Sequence, residues 1–167
     1  QPSDTYGIVT DRDLHFEIPE MCEFMKKPEI VERVAQLLGP DLLCWRSQIF
    51  QKPAGGQSIQ WHQASTYLLE DYLIPVLRPR DRNEIFQITV WVAIDHATVE
   101  NGCLRFLPGT HDQIRQIRFG GDDGFYQVNF QLDLDGLENT AVSKEVKPGE
   151  FIIFSERTIH GSEKNRT

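Results

Sequence analysis

From residue 41 onward this chain never keeps one hydrophobic period for long, and that limits what it can build. Short apolar–polar alternations are cut again and again by glycine, proline or asparagine–glycine. Leu42 to Gln51 stops at Pro53-Ala54-Gly55-Gly56, and Ser58 to His62 follows as the next strand. Gln87 to Ala93 alternates cleanly. Asn101-Gly102 is the strongest hairpin signal in the chain, with Cys103 to Leu107 as the returning strand. Pro108-Gly109-Thr110 then turns the chain out. Tyr126 to Leu132, Ala141 to Val146 and Phe151 to Phe154 read as further strands, the last entered through Lys147-Pro148-Gly149-Glu150. Many short strands with turns between them predict a sandwich or barrel. The expected fold class is mainly β: a double-stranded β-helix (jelly roll, cupin-like), which gathers residues from distant strands around one mouth.

Helical spacing is confined to the N-terminal part. Between Ile18 and Gly39, Pro19 and Pro28 each suit a first helical position, where the missing N–H costs nothing. Ile30, Val31, Val34, Leu37 and Leu38 recur at spacings of three and four, and Gly39-Pro40 ends the second helix. Residues 1–16 show no period and read as exposed loop. Pro75 and Pro79 make Tyr67 to Asn83 a loop or lid rather than a core strand. The expectation is one domain over 1–167, with 1–40 as a helical cover and 41–167 as the jelly-roll core. At 167 residues the chain is long enough to bury such a core. It does not begin with Met and stops at Asn165-Arg166-Thr167, so natural ends, and interior loops with them, are expected to be missing.

Charge and cysteine usage exclude several classes. Acidic residues outnumber basic ones 25 to 17, a net −8, which disfavours nucleic acid as a partner because phosphate binding needs a basic footprint. No apolar run approaches a membrane span and no signal peptide is visible. Cys22, Cys44 and Cys103 are odd in number, widely spaced and outside any CxxC pair. That argues against a disulfide framework or thiolate zinc site and for a reducing cytoplasm. Arg78, Arg80 and Arg82 cluster, with Arg115 and Arg118 later; such a run is either solvated surface or a docking patch for an acidic partner.

Two histidines stand out by position. His62 ends a strand, follows Trp61 and precedes a loop; His160 closes a strand after the apolar Phe151-Ile152-Ile153-Phe154. In a jelly roll two such residues can meet at one end of the barrel. His15, His96 and His111 lack this setting. Two histidines plus a carboxylate two residues after the first is how a non-haem iron oxygenase holds Fe(II) with one face open. Here that third position is Ala64. A methyl group cannot ligate iron, so one coordination position and one negative charge are vacated, and a chloride ion can supply both. The other readings of Ala64 are a protein that has lost iron, or one that recruits a carboxylate from elsewhere.

Three separated segments, in order, carry a family resemblance. Trp61-His62-Gln63 with Tyr67-Leu68, the run from Glu100 to His111 through Asn101-Gly102-Cys103 and Pro108-Gly109-Thr110, and Pro148-Gly149-Glu150 leading to His160 resemble the phytanoyl-CoA dioxygenase superfamily. Its members use non-haem Fe(II), 2-oxoglutarate and dioxygen. The resemblance runs from about Pro28 to the C-terminus. Most of that superfamily has His-x-Asp where this chain has His62-Gln63-Ala64. That replacement, with the run from Gly39 to Arg46, is similar to the Fe(II)/2-oxoglutarate halogenases, which chlorinate unactivated carbon on carrier-tethered substrates.

The resemblance implies roles for further residues. His62 and His160 would hold the metal, Ala64 would leave the halide its place, and Tyr67 would line the halide pocket. Thr89 and Trp91 match positions near the 2-oxoglutarate and halide pocket, although alternating Thr-Val-Trp is also what a half-buried strand needs. Glu156 falls where the halogenases have a small polar residue; a salt bridge with Arg157 or another basic group is the plainer account. The arginine that grips the far carboxylate of 2-oxoglutarate is expected beyond Thr167. The implied partner is an acyl or peptidyl carrier protein bearing a phosphopantetheine thioester. Arg78, Arg80 and Arg82, or Lys26-Lys27, are candidates to dock it. A hydroxylase that turns over without chloride and a non-catalytic jelly-roll binding module stand as the alternatives.

Overall fold

The computed structural model describes residues 3–5, 8–63, 85–112, 117–119, 126–128, 134 and 136–167, with side chains from Asp11 onward except in 117–119 and 126–128. Among them the secondary structure is mainly β, as the interrupted alternation predicts. Eleven strands are described: β1 (Ser3–Thr5), β2 (Ile8–Arg12), β3 (Gln48–Gln51), β4 (Ile59–His62), β5 (Ile88–Val92), β6 (Leu104–Phe106), β7 (Ile117–Phe119), β8 (Tyr126–Val128), β9 (Val142–Lys144), β10 (Phe151–Ser155) and β11 (His160–Ser162). They form a sheet in the order β4-β11-β6-β9, a β5-β10 pair, a β1-β2-β3 sheet and a β7-β8 ribbon, and every pairing is antiparallel.

The order shows the jelly-roll device, because neighbours in sequence change sheets. β5 pairs with β10, from Ile88↔Ser155 to Val92↔Phe151, whereas β6 pairs with β9 and β11. The Asn101-Gly102 turn between β5 and β6 is therefore not a hairpin turn, contrary to the sequence expectation. Its own bonds explain it. Cys103 N donates to Thr98 O at 2.8 Å, Thr98 N to Asn101 Oδ1 at 2.7 Å and Asn101 Nδ2 to His96 O at 2.7 Å, with Gly102 at φ 85°. The asparagine side chain closes a wider loop that hands the chain across to the other sheet. Aromatic rings bridge the two sheets: Phe106 of β6 and Phe154 of β10 stack edge to face at 5.1 Å.

Strand limits follow the availability of a ladder partner. Residues 1–16 were expected to be loop, yet β1 and β2 pair there and carry β3 as their neighbour. The β2–β3 ladder ends at Arg12↔Gln48, because Asp13 turns the chain at φ 59° and takes Ser47 N on its side chain at 3.1 Å. Of the strand expected over Leu42 to Gln51, only Gln48–Gln51 forms. His160 also differs from its expected place. It opens β11 in the four-stranded sheet rather than closing β10, because a turn at Glu156 to Thr158 moves the chain to the other sheet.

The helices are α1 (Pro19–Met25) and α2 (Pro28–Leu38), each with proline at its first turn; α2 ends at Gly39, φ 87°. Ile30, Val31, Val34, Ala35 and Leu38 form the half-buried stripe of α2, and Leu37 lies outside it, 60% exposed. Leu107, Leu134 and Ile159 are fully buried and make the tightest core cluster, with Trp61, Leu137 and Ala141 packed on it. No helix among the described residues is long and apolar enough to cross a membrane.

Candidate metal centre

The last residue of β4 and the first of β11 are partners. His62 pairs with His160 across the antiparallel ladder, so both side chains leave the same face, and their rings lie 4.2 Å apart between centroids at 52°. Their neighbours take the opposite face: Trp61 and Ile159 pack into the Leu107 cluster, and Arg105 covers the Trp61 ring at 5.2 Å. The period of two thus sends the apolar residue of each strand inward on one side and the histidine to the other. Phe106, opposite His160 on β6, and Phe154 on β10 wall the pair, with ring centroids 6.2 and 4.6 Å from His160.

The ladder is irregular at this point. His160 opposes His62 but Ser162 opposes Ile59, so β4 has two residues, Gln60 and Trp61, against the single Gly161. Such a bulge re-aims side chains at a strand end. Gly161 is what permits it, since a Cβ there would lie 2.8 Å from Ile59 O and 3.3 Å from Gln60 O.

The two imidazoles are fixed by the same device. His62 Nδ1 donates to Gln60 O at 2.8 Å and His160 Nδ1 donates to Thr158 O at 2.9 Å, each carbonyl two residues upstream. With Nδ1 carrying the proton, each Nε2 keeps its lone pair, the form a metal needs. Burial lowers the His62 pKa. Burial, then the neighbouring His62, push that of His160 well below its usual value, so both rings stay neutral. Two imidazoles 4.2 Å apart between centroids, each with Nδ1 tied to a carbonyl and no hydrogen bond at Nε2 among the described residues, are a donor set that fits two positions of a divalent transition metal. Among the described residues no third His, Cys, Asp or Glu completes a cluster with them.

The other predicted residues divide into four groups. Thr89 pairs with Phe154 and Trp91 with Ile152, so both lie on the face of β5 that Phe154 shares, the wall next to His160. Ala64 and Tyr67 lie outside the described residues, as do Arg78, Arg80 and Arg82. Lys26 and Lys27 are exposed on the helical side, where Lys26 pairs with Glu23 at 2.8 Å. Glu156 does meet Arg157, as the plainer account expects, at 3.3 Å from its Nε, but the pair is buried rather than superficial. Glu156 is 0% exposed, neither carboxylate oxygen has a hydrogen bond among the described residues, and burial raises its pKa despite Arg157. Its backbone N bonds Gln87 O at 3.3 Å, extending the β5–β10 ladder by one pair.

Two residues at the site lie in the segments that carry the resemblance, but sequence reasoning assigned neither a role. Gln63, directly after His62, is 0% exposed, and its side-chain amide donates to Arg157 O. Thr110, 2% exposed, donates its hydroxyl to Leu107 O at 2.7 Å and accepts Ile159 N at 3.0 Å. A polar residue after a strand end looks like a loop residue until its burial is known. A cleft of about 630 Å³ lined by Gly55, Gln57, Lys164, Asn165 and Arg166 shares no residue with the histidine pair.

The sequence profile of the phytanoyl-CoA dioxygenase family matches residues 5–167. Over 158 residues the chain is 28% identical to mouse phytanoyl-CoA dioxygenase domain-containing protein 1, covering 92% of this chain and 50% of that protein. Over 154 residues it is 29% identical to human peroxisomal phytanoyl-CoA dioxygenase, 90% of this chain and 43% of that one. The chain thus spans about half the length of the curated relatives it matches. Among solved structures, CytC3 with Fe(II) and alpha-ketoglutarate superposes with a TM-score of 0.65 at 34% identity, over 93% of this chain and 51% of that one. EctD from S. alaskensis with 2-oxoglutarate and 5-hydroxyectoine gives 0.74 at 22% identity, over 95% and 52%, and speaks for the fold alone.

Proposed function

Because this chain belongs to the phytanoyl-CoA dioxygenase family, we propose that it serves an Fe(II)- and 2-oxoglutarate-dependent oxidoreductase, and that Ala64 makes that enzyme a halogenase. The observation that carries the metal reading is the His62–His160 pair, with both Nδ1 atoms tied to backbone carbonyls so that each Nε2 keeps its lone pair. The likeness to CytC3, whose structure holds Fe(II) and alpha-ketoglutarate, supports the same two cofactors here.

His62 and His160 supply two neutral ligands through Nε2. Ala64 supplies none, which leaves a position and a negative charge for chloride. Phe106 and Phe154 wall the His160 side of the pair, Thr89 and Trp91 extend that wall along β5, and in this reading these two would help to hold 2-oxoglutarate. Iron with 2-oxoglutarate and dioxygen supplies the removal of a hydrogen atom from an unactivated C–H bond. The substrate in this reading is an acyl or aminoacyl group on an acyl or peptidyl carrier protein. Arg78, Arg80 and Arg82, or Lys26-Lys27, meet the acidic carrier, and the exposed Lys26–Glu23 pair is weak enough to yield to it.

Hydroxylation by the same centre is the second reading. The curated relatives are named dioxygenases, and Glu156, which falls where the halogenases have a small polar residue, is a buried acid. Anaerobic titration of the full-length protein with Fe(II) and 2-oxoglutarate, with and without chloride, separates the two. A visible charge-transfer band that moves with chloride, and an Ala64→Asp variant whose band ignores it, support the halogenase. A wild-type band indifferent to chloride supports the hydroxylase, and no band defeats both.

A further inference from the structure

The turn that carries the chain from β10 to β11 is held by its own bonds to Ser155 and by bonds from other elements. Glu156 N bonds Gln87 O of the β5 side at 3.3 Å, Thr158 N bonds Ser155 O at 3.1 Å and Leu107 N takes Ile159 O at 3.0 Å. Two side chains from outside the turn add to these, beside Ser155 Oγ, which accepts Arg157 N at 3.3 Å. Gln63, from the residue after His62, donates to Arg157 O. Thr110, from the 3-10 turn after β6, accepts Ile159 N and donates to Leu107 O. Gln63 therefore ties the chain next to one histidine to the chain three residues before the other. Thr110 fixes the amide immediately before His160. Both residues are buried.

We propose that Gln63 and Thr110 are positioning residues that set the spacing and tilt of the His62 and His160 imidazoles. The physical reason is the lever they act on. His160 Nδ1 is anchored to Thr158 O, so the ring follows the turn, and the turn follows its two clamps. Metal sites tolerate ligand displacements of only about 0.2 Å. A loosened turn moves the ring out of that range while both histidines stay present.

The proposal rests on the metal reading for one arm of its test and stands without it in the other. In the first arm Co(II), a spectroscopic probe, is titrated into the full-length protein without turnover. Thr110→Val keeps the volume and removes the hydroxyl; Thr110→Ser keeps the hydroxyl; Gln63→Met keeps the length and removes the amide. Thr110→Val and Gln63→Met are expected to weaken Co(II) binding about 10- to 100-fold and shift the visible bands, and Thr110→Ser to restore both. Val146→Ala, in a buried position that pairs with Ala97, serves as a destabilised control that keeps wild-type Co(II) affinity. In the second arm, imidazole 15N spectra and ring-to-ring NOEs of the metal-free protein report the 4.2 Å His62–His160 approach directly. That approach is expected to loosen in Thr110→Val and Gln63→Met and to persist in Thr110→Ser. Wild-type NOEs and wild-type Co(II) spectra in both disrupted variants overturn the proposal. Wild-type protein that ignores Co(II) but shows the NOE pattern defeats the metal reading and leaves the positioning roles in place. Either of Gln63→Met and Thr110→Val decides the outcome if the other does not fold.

Discussion

Gly161→Ala is the sharpest test of how the centre is assembled. The added Cβ would lie 2.8 Å from Ile59 O and 3.3 Å from Gln60 O, both backbone atoms of the bulged strand beside His62. No side-chain rotation relieves this contact. To reach ordinary contact near 3.4 Å, β4 and β11 must part by about 0.6 Å. Overpacking of this kind costs about 1–3 kcal/mol, or roughly 2–12 °C of melting temperature for a chain of this size. The same displacement exceeds the roughly 0.2 Å that a ligand pair tolerates, so Co(II) affinity should fall at least about tenfold. Urea denaturation gives the first quantity and metal titration the second. Gly149→Ala is the comparison: at φ 84° with nothing within 4 Å of its Cβ, it bears only backbone strain, about 1–2 kcal/mol, and should bind Co(II) as wild type does. A Gly161→Ala protein within about 0.5 kcal/mol of wild type, with unchanged metal affinity, would refute the claim that the close β4–β11 approach sets the histidine pair.

Two further outcomes follow from buried charges. Burial raises the Glu156 pKa, so in the window from its unfolded value of about 4.3 up to the raised folded value, the native state holds more protons than the unfolded one. Stability should therefore fall as pH rises through that window, and Glu156→Gln should remove this component of the slope, read by urea midpoints from pH 4 to 8. A Glu156→Gln protein with the wild-type pH slope would show the carboxylate to be solvated. Lys52 donates to Ser162 Oγ and Glu163 O, both at 2.6 Å, and burial lowers its pKa to about 8. Its 15Nζ resonance should titrate near pH 8, and a midpoint at its ordinary 10.5 would place the ammonium in water.

What was legible in the chain was whatever repeats locally. The interrupted alternation is a sufficient signal for short strands, and Pro19, Pro28 and Gly39 bound the helices, because proline and glycine act on the backbone where they stand. His62 and His160 were legible as strand-end residues next to strongly apolar partners. Partner choice was not legible. Asn101-Gly102 is the best local hairpin signal, yet β5 goes to β10 and β6 to β9 and β11, since the pairing energy of each strand depends on residues 36 to 67 positions away. Residues 1–16 lack a period because three- and five-residue strands are too short to show one.

The sequence by itself determined the mainly β class, the identity of the two histidines and the methyl group at position 64, for these are matters of residue type and local period. Tertiary structure alone decided that His62 and His160 face each other, that Gly161 admits a bulge between their strands, and that Gln63, Thr110 and Glu156 are buried polar residues rather than loop decoration. The reason is that burial and cross-strand register are properties of the neighbour. A hydroxyl or amide declares its role only when another strand has taken the water away from it.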